Sequence, residues 1–535
     1  MHQVDQITIH TDNSGFKLLE KTGGMEVISN GIESISIHAD QEMENRNPKI
    51  RAVNLGGWLV TEGWIEPSLF DAIPNKDFLD GTRLQLKSMM VGKYLCAESG
   101  GGSRVVANST GTPVVAKRPA SSGNHWETFR LWRINERLFH FRVAKKQFVG
   151  LDSGGEGVDL VATCHSPGAP ETFEIVRNPG DPSRVRIKAS NGSFLQVRTD
   201  ERVTADYQGD QIDVWKDEDP SLFIMSFTKR LEGEFQVTNG LGPQKAPKVM
   251  REHWRTFIVE GDFKFVAENG LDAVRIPVGW WIASDPNPPP PYVGGSLAFL
   301  DSAFSWAEKY GLKVIIDLHA APGSQNGWEH SSSRDGFQEW GDTDDTIQQT
   351  LHVIEFLTSR YTKSPSLYAV DLLNEPLAET LPLETVTKYY KAGHNAVRKH
   401  SPTAYVIMSC VLGSSGPELL LPVASGLDRT VVDKHYYTMF RTKFNTIQDN
   451  LDFIYKNSGT QLNRLATSDG PLTFVGEWVV EWAVNGATKE QYQKFAEAQL
   501  EVYGKATFGW AYWTLKCTRD HWSLEWMIKN GYIKL

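Results

Sequence analysis

The sequence of 535 residues lacks the features that mark several classes of protein. Its four cysteines form no CxxC pair, so neither a zinc site nor a disulfide framework is indicated. Lys and Arg number 55 against 65 Asp and Glu, and this net charge of −10 argues against nucleic acid as a partner. No apolar run approaches the ~18 residues that a membrane helix needs. We therefore expect a globular protein without a membrane span.

The N-terminal stretch MHQVDQITIHTDNSG also lacks the apolar segment of a signal peptide. The absence of this segment leaves two cellular locations open. The protein either acts in the cytoplasm or starts after a removed signal, which would place it outside the cell or in the cell wall.

From about residue 255 onward, short apolar runs alternate with amphipathic helical stretches. One helix is predicted over 344–361, where apolar residues such as Ile347 and Leu351 recur at helical spacing. The apolar runs predict strands over 272–278, 313–319, 368–375, 404–410, 431–437, 471–478 and 508–515, with an eighth upstream at 50–57. Eight strands alternating with helices predict an α/β fold of the (β/α)₈ (TIM) barrel type.

The stretch 78–228 separates the first strand from the second and has no helical periodicity. It contains three similar segments, whose equivalent phenylalanines are Phe129, Phe173 and Phe223. Repeats that are too small to bury their own apolar faces predict a β-trefoil here, and the block resembles the fascin-like trefoil module. An insertion after barrel strand 1 stands beside the mouth of the barrel. We divide the chain into an N-terminal extension (1–47), a first barrel segment (48–77), the all-β insertion (78–228) and the main barrel segment (229–535).

Polar and aromatic side chains stand at the ends of the predicted strands. Glu375 follows an apolar run in LLNEP, and Glu477 ends another in VGEW. The other members of the set are Glu62, Arg275, His319, Asn374, His435, Tyr437 and Trp513. Because the carboxyl ends of barrel strands converge on one site, we expect these groups to meet. Two facing carboxylates suit glycosidic bond cleavage, in which one protonates the leaving oxygen and the other attacks the anomeric carbon or activates water.

Several long motifs in chain order resemble glycoside hydrolase family 5, close to its exo-β-1,3-glucanase (glucan 1,3-β-glucosidase) branch. The matching text is NLGGWLVTEGWIEPSLF, REHWRTFI, DAVRIPVGWW, DLHAAPGSQNG, LLNEP, VGEW and HWSLEW. The resemblance covers 50–77 and 229–535, and an inserted fascin-like module is the arrangement of the plant members. It implies a retaining glycosidase that removes terminal β-glucosyl residues from β-glucans, oligosaccharides or β-glucosides. It implies no metal and no cofactor, and we expect a monomer.

The resemblance also implies a role for each catalytic group. Glu375 matches the general acid/base, and Glu477 matches the nucleophile. Arg275 and Tyr437 match groups that hold the nucleophile by charge and by a hydrogen bond.

The resemblance further implies the groups that bind the sugar. Glu62 matches a carboxylate that binds the terminal sugar, and Trp513 matches its stacking platform. Trp328 and Phe440 stand where the fungal enzymes carry an aromatic pair that grips the next sugar outward. Residues that orient the sugar or the carboxylates are matched by His319, Asn374 and His435.

Two stretches, NGWEHSSS and WTLKCTRD, depart from the family pattern. We expect both at the outer edge of the site, where they affect the choice of substrate. Two alternatives stay open: a transglycosylase acting on small glycosides, and a non-catalytic carbohydrate-binding or cytoskeletal interaction protein. A barrel without activity has no need to keep both carboxylates, which weighs against the second. Because no residue assigned to chemistry lies in 78–228, we expect that domain to serve substrate reach or targeting.

Overall fold

The computed structural model describes residues 8–11, 17–21, 24–26, 49–110, 126–209, 214–378, 381–413, 416–440, 444–466 and 470–535. The chain divides into two units, Met1–Lys49 and Ile50–Leu535. The described part of the first unit contains an antiparallel sheet of β1 (Thr8–Thr11), β2 (Lys17–Lys21) and β3 (Gly24–Glu26).

An all-β domain interrupts the second unit directly after its first strand, β4 (Ile50–Asn54). The described residues of this domain form β5 (Arg83–Ser88), β6 (Tyr94–Ala97), β7 (Val105–Ser109), β8 (Phe129–Arg133), β9 (Leu138–Arg142), β10 (Phe148–Leu151), β11 (Leu160–Cys164), β12 (Phe173–Arg177), β13 (Arg184–Ala189), β14 (Phe194–Val197), β15 (Val203–Tyr207) and β16 (Phe223–Lys229). Pairing closes β5, β8, β9, β12, β13 and β16 into a ring. The remaining strands form three hairpins, β6–β7, β10–β11 and β14–β15.

The threefold sequence repeat is visible in this strand order. Phe129, Phe173 and Phe223 each begin the last strand of one four-stranded repeat, and all three side chains are buried in the core of the domain. One ring closed by three repeats supports the predicted β-trefoil. The fascin-like character of the domain stays a prediction.

The strand β4 and seven later strands close a barrel of parallel strands, whose order around the ring follows the chain. The later strands are β17 (Ala273–Gly279), β18 (Lys313–Ala320), β19 (Leu367–Asp371), β20 (Tyr405–Ser409), β21 (Thr430–Tyr436), β22 (Leu472–Trp478) and β23 (Gly509–Tyr512). The predicted fold class, a (β/α)₈ barrel with an all-β domain, is confirmed.

Helices occupy the connections between the barrel strands, and one more helix follows the last strand. Their bounds are α1 (Glu234–Thr256), α2 (Glu260–Glu268), α3 (Ser296–Tyr310), α4 (Asp344–Tyr361), α5 (Leu383–His400), α6 (Leu421–Ala424), α7 (Ile447–Asp452), α8 (Gly459–Leu465), α9 (Lys489–Tyr503) and α10 (Leu524–Lys529). Helix α3 ends where Gly311 adopts a φ of 70°, a conformation that glycine reaches without a steric penalty. Within the described residues, no helix combines the length and the apolar character needed to cross a membrane.

The pleat of the strands explains why a polar site lies inside an apolar barrel. Successive side chains of a strand point to opposite faces. On β17, Val274 and Ile276 belong to the large core outside the barrel, whereas Ala273 belongs to a small apolar cluster with residues of the other barrel strands. Arg275 follows Ala273 by two residues, so its side chain also points into the barrel and lies nearer the carboxyl end of the strand. The interior changes there from apolar to charged.

Three strands end three or four residues earlier than the sequence predicts, and one of them is β4, which ends at Asn54. Strand β19 ends at Asp371, so Glu375 lies beyond it in a loop, with a φ of 46° that a strand cannot contain. Strand β23 ends at Tyr512, and Trp513 follows it. Both residues still lie at the carboxyl end of the barrel.

Candidate active site

Strand register brings the predicted site residues together at the carboxyl end of the barrel. His435 on β21 is the cross-strand neighbour of Glu477 on β22. The loop after β19 brings Glu375 to the same place. One oxygen of each carboxylate and one nitrogen of His435 all lie within 4.8 Å of one another. All three side chains are buried.

Two donors hold the carboxylate of Glu477. Arg275 Nη1 donates to its Oε1 over 3.2 Å, and the Tyr437 hydroxyl donates to its Oε2 over 2.7 Å. A charge-assisted hydrogen bond is stronger than a neutral one, so this arrangement favours the ionised carboxylate and fixes its direction.

Arg275 is itself fixed by a ring of acceptors and has no solvent exposure. Its Nη2 donates to Asp371 Oδ2 over 2.8 Å and to Asn374 Oδ1 over 2.9 Å, and its Nη1 lies 3.1 Å from Asp317 Oδ2. Burial lowers the pKa of the guanidinium, but the charges of Asp317, Asp371 and Glu477 outweigh burial and raise this pKa. Arg275 therefore stays charged.

Buried carboxylates outnumber buried cations in this cluster. Burial, only partly offset by Arg275, raises the pKa of Asp317 to about 6 and that of Asp371 to about 7. Burial and the charge of Glu375 likewise raise the pKa of Glu477 to about 7, against the lowering effect of His435. Groups this close titrate as a set, so the cluster holds protons near neutral pH.

Glu375 is oriented through its side chain and its backbone. Its Oε1 lies 2.7 Å from His435 Nδ1. Its backbone N–H donates to Ser409 Oγ over 3.2 Å, and its carbonyl accepts a hydrogen bond of 3.0 Å from Asn326 Nδ2. These contacts hold the residue in its positive-φ conformation.

His435 carries a proton in this arrangement. Burial lowers the pKa of its imidazole, but the charges of Glu477 and Asp433 outweigh burial and raise this pKa well above 6.5. Burial raises the pKa of Glu375, but the hydrogen bond and charge of His435 outweigh that effect and lower it to about 2. The protonated His435 therefore donates from Nδ1 to Glu375 Oε1 over 2.7 Å.

Aromatic groups form one wall of the site. The rings of His319 and Trp513 stack with centroids 5.4 Å apart and 10° between their planes. His319 Nδ1 lies 2.6 Å from Asp317 Oδ2, which fixes the imidazole. A Cβ atom on Gly56 would lie 2.7 Å from Trp513 Cζ2, so glycine is required there for the indole to keep its position.

The remaining predicted residues are Glu62, Trp328 and Phe440, and the centre of the Phe440 ring lies 5.6 Å from that of the Tyr437 ring. Glu62 is buried and accepts a hydrogen bond of 2.9 Å from Trp64 Nε1. Burial, together with the charge of Glu477, raises the pKa of Glu62 well above its usual value. Trp328 and Phe440 are 41% and 71% exposed.

The sequence contained a signal for some residues that we did not predict. Asp317 and Asp433 stand two positions before His319 and His435 on their strands, so each carboxylate faces the same side as its histidine and bonds to it. The sequence signal for both aspartates is an ionisable residue inside an otherwise apolar strand. His330, which we also did not predict, had no such signal, because it lies in the loop after β18.

Comparison with known proteins gives two family matches. The cellulase model (glycosyl hydrolase family 5) matches residues 243–518, and a domain of unknown function, DUF7910, matches residues 75–228. A glucan 1,3-beta-glucosidase of Pichia angusta is 30% identical over 357 residues, which cover 58% of this chain and 80% of that protein. A probable glucan 1,3-beta-glucosidase A of Aspergillus fumigatus (strain CBS 144.89) is 33% identical over 355 residues, covering 58% and 82%. The crystal structure of rutinosidase from Aspergillus niger aligns with a TM-score of 0.49 at 24% identity, over 56% of this chain and 88% of that one.

The cellulase match confirms the family that the sequence motifs predicted. It extends over more than half of the chain and contains both carboxylates, Glu375 and Glu477. The plant-type arrangement stays a prediction. This protein belongs to glycosyl hydrolase family 5, and it is a retaining glycosidase that works with two carboxylates.

Proposed function

We propose that the enzyme removes terminal β-glucosyl residues from β-glucans or β-glucosides. Relatives at 30% and 33% identity bear the name glucan 1,3-beta-glucosidase, which supports this substrate class. The main structural support is the short distance between the carboxylates of Glu375 and Glu477. One oxygen of Glu375 lies within 4.8 Å of one oxygen of Glu477, a close approach that supports the ~5–5.5 Å carboxyl separation of retaining enzymes over the ~6.5–9.5 Å of inverting enzymes.

In the first step, Glu477 attacks the anomeric carbon while the glycosidic C–O bond breaks and Glu375 gives a proton to the leaving oxygen. The hydrogen bonds from Arg275 and Tyr437 support Glu477 as the nucleophile, because they stabilise its ionised form and fix its orientation. In the second step, Glu375 takes a proton from water, which attacks the same carbon and releases Glu477. Two inversions give overall retention.

The contact between Glu375 and His435 supports Glu375 as the general acid/base. His435 Nδ1 donates to Glu375 Oε1 over 2.7 Å and orients the carboxyl, which leaves Oε2 to carry the proton that passes to the leaving oxygen. The return of the proton in the second step restores the starting state.

The sugar contacts follow from the chemistry of the lining groups. Asn374 Nδ2 is buried without a partner among the described residues, and we assign it to a sugar hydroxyl. We assign the indole of Trp513 to the apolar face of the terminal sugar, and Glu62 to its hydroxyls. Trp328 and Phe440 would receive the next sugar or an aromatic aglycone. His319 braces Trp513 by ring stacking.

We also propose the division of the chain at 1–47, 48–77, 78–228 and 229–535, with the enzyme acting as a monomer. The continuous strand order of the inserted domain, from β5 to β16, supports its treatment as one module.

Hydrolysis of laminari-oligosaccharides and of 4-nitrophenyl β-glucoside, followed by proton NMR in the first minutes, tests the proposal. We expect β-glucose as the first product, because two inversions at the anomeric carbon restore its configuration. An α-configured first product, or no turnover of either substrate, would refute it.

A further inference from the structure

The loop after β18 connects the active site to the inserted domain. We call residues 328–342 the bridging segment. Its Asp335 has a side chain only 3% exposed, which accepts a 2.8 Å hydrogen bond from Arg142 Nη1. Arg130 Nη1 donates to the Asp335 carbonyl over 3.1 Å, and its guanidinium lies 3.4 Å from the centre of the Phe337 ring.

Further contacts fasten the bridging segment on both sides of Asp335. Arg142 Nη2 donates to Glu339 Oε1 over 2.7 Å. Arg334 Nε donates to Asp80 Oδ1 over 2.8 Å, and its guanidinium lies 3.6 Å from the centre of a Trp132 ring. Removing one partner of a buried ion pair is costly, so these contacts fix the segment against the inserted domain.

The other end of the bridging segment reaches the acid/base. His330 Nε2 lies 3.8 Å from Glu375 Oε2, and His330 Nδ1 lies 3.4 Å from His319 Nε2. The His330 side chain is 12% exposed. Glu375 Oε1 is the oxygen that His435 contacts, so His330 faces the other oxygen, which is free to meet a leaving group.

A chain of hydrogen bonds fixes which His330 nitrogen carries hydrogen. Burial lowers the pKa of His319 well below 6.5 and that of His330 to about 4, so both rings are neutral near pH 7. His319 Nδ1–H donates to Asp317, which leaves its Nε2 as an acceptor for His330 Nδ1–H. The lone pair of His330 Nε2 then accepts from Asn326 Nδ2 over 3.4 Å and lies 3.8 Å from Glu375 Oε2. A lone pair there accepts from a protonated Oε2 and repels an ionised one.

Resting on the proposed role of Glu375, we propose that His330 is a positioning residue that favours the proton on Glu375 Oε2, and that the inserted domain keeps it there through the bridging segment. The separation of 3.8 Å exceeds hydrogen-bond length, and catalytic contacts of this kind shorten when the substrate binds. His330 lies in NGWEHSSS, the stretch that departs from the family pattern. The effect is therefore a feature of this chain beyond the common catalytic set.

The first experiment compares His330→Ala, His330→Gln and the control His352→Ala, whose histidine is exposed on α4. We expect His330→Ala to lower kcat/KM on laminaribiose ~10-fold, a part of the ~10²–10⁴-fold value of general-acid catalysis. Hydrolysis of 2,4-dinitrophenyl β-glucoside should change less than ~2-fold, because its leaving group needs no proton. The Gln variant should recover part of the loss through its amide oxygen, and the control should match the wild type.

Equal losses on the two substrates, or no loss on laminaribiose, would overturn the role of His330. A wild-type enzyme that hydrolyses neither substrate would instead overturn the proposed function, so the two failures are distinguishable.

The second experiment tests the inserted domain with Arg142→Met, alone and combined with His330→Ala. If Arg142 acts through His330, the single variant loses activity selectively on laminaribiose, and the double variant is within ~2-fold of His330→Ala, because the two effects are coupled. If the two losses of activity multiply in the double variant, Arg142 does not act through His330, and this result would overturn the proposed connection. If circular dichroism shows that Arg142→Met is unfolded, Arg142→Lys replaces it, since Lys keeps the charge and loses the forked contact to two carboxylates.

Discussion

Glu375 and Glu477 differ in what surrounds them, and this difference predicts separate chemical rescue. Glu477→Ala removes the nucleophile, so azide enters from the opposite face of the sugar and gives an α-glycosyl azide. Glu375→Ala keeps the nucleophile but leaves no base to activate water, so azide attacks the glycosyl enzyme and gives the β-azide. Both variants are assayed on 2,4-dinitrophenyl β-glucoside with sodium azide, and the products are identified by NMR. The reverse pattern would mean that the two roles are exchanged.

We expect the substitution Arg275→Met to lower the free energy of unfolding by an amount that depends on pH. Arg275→Met leaves Asp317 and Asp371 buried without their cation, which costs roughly 3–5 kcal/mol in the free energy of unfolding. The pKa values of these carboxyls, about 6 and about 7 with Arg275 present, should rise further. A carboxyl with a raised folded-state pKa contributes stability at low pH and loses it as pH rises through that pKa. The destabilisation should therefore be larger at pH 8 than at pH 5.

Urea unfolding at the two pH values measures this effect. The matched control is Arg255→Met, because Arg255 pairs with Glu252 on the surface of α1, where both side chains are about 60% exposed. An exposed pair contributes ~0–1 kcal/mol, so the control should unfold like the wild type. A loss for Arg275→Met that is independent of pH would contradict the assignment of its carboxylate partners.

The loops after β18 and β21 carry the exposed aromatic pair and should set the affinity for the outer part of the substrate. Trp328→Ala and Phe440→Ala remove apolar area that a second sugar or an aromatic aglycone would cover, so KM for laminaribiose should rise ~10-fold while kcat changes little. Tyr455→Ala, at an exposed aromatic residue of comparable size, is the control. An equal rise in KM for methyl β-glucoside, which does not fill the outer position, would refute this placement.

Elements set by local sequence were predicted well. The helix predicted over 344–361 is α4 with the same bounds, and the strand predicted over 272–278 is β17, shifted by one residue. Apolar periodicity is a local property, so it is visible without the fold. The loop position of Glu375 was missed, because its positive φ depends on contacts with Ser409 and Asn326 that come from other strands and loops.

At the scale of the whole molecule, the site was predicted as a set of residues and not as a geometry. Strand ends in a barrel converge by topology, which identified Glu375 and Glu477 as partners. The contact between the inserted domain and the bridging segment was missed for a different reason. Arg142 and Asp335 lie 193 residues apart, and their pairing depends on how two domains pack, which no periodicity records.

This packing predicts that the inserted domain and the barrel unfold together. Asp335→Ala leaves the buried Arg142 without its main partner, so we expect a loss of roughly 3–5 kcal/mol. Asp342→Ala is the matched control from the same segment. Asp342 pairs with Lys146 of the inserted domain, but its side chain is 54% exposed, so its loss should cost at most ~1 kcal/mol.

The destabilisation by Asp335→Ala also grows as pH rises, but over a lower pH range than that of Arg275→Met and for a different reason. Burial raises the pKa of Asp335, but the charges of Arg142 and Arg130 outweigh it and hold this pKa below its usual range. A carboxyl with a lowered folded-state pKa contributes stability above its unfolded value, ~3.9, and loses it as pH falls through the folded value. The difference between wild type and Asp335→Ala should therefore be full at pH 7 and shrink below about pH 4. Calorimetry should show one transition for the wild type. Two separate transitions, or a variant no less stable than the Asp342 control, would mean that the domains fold independently.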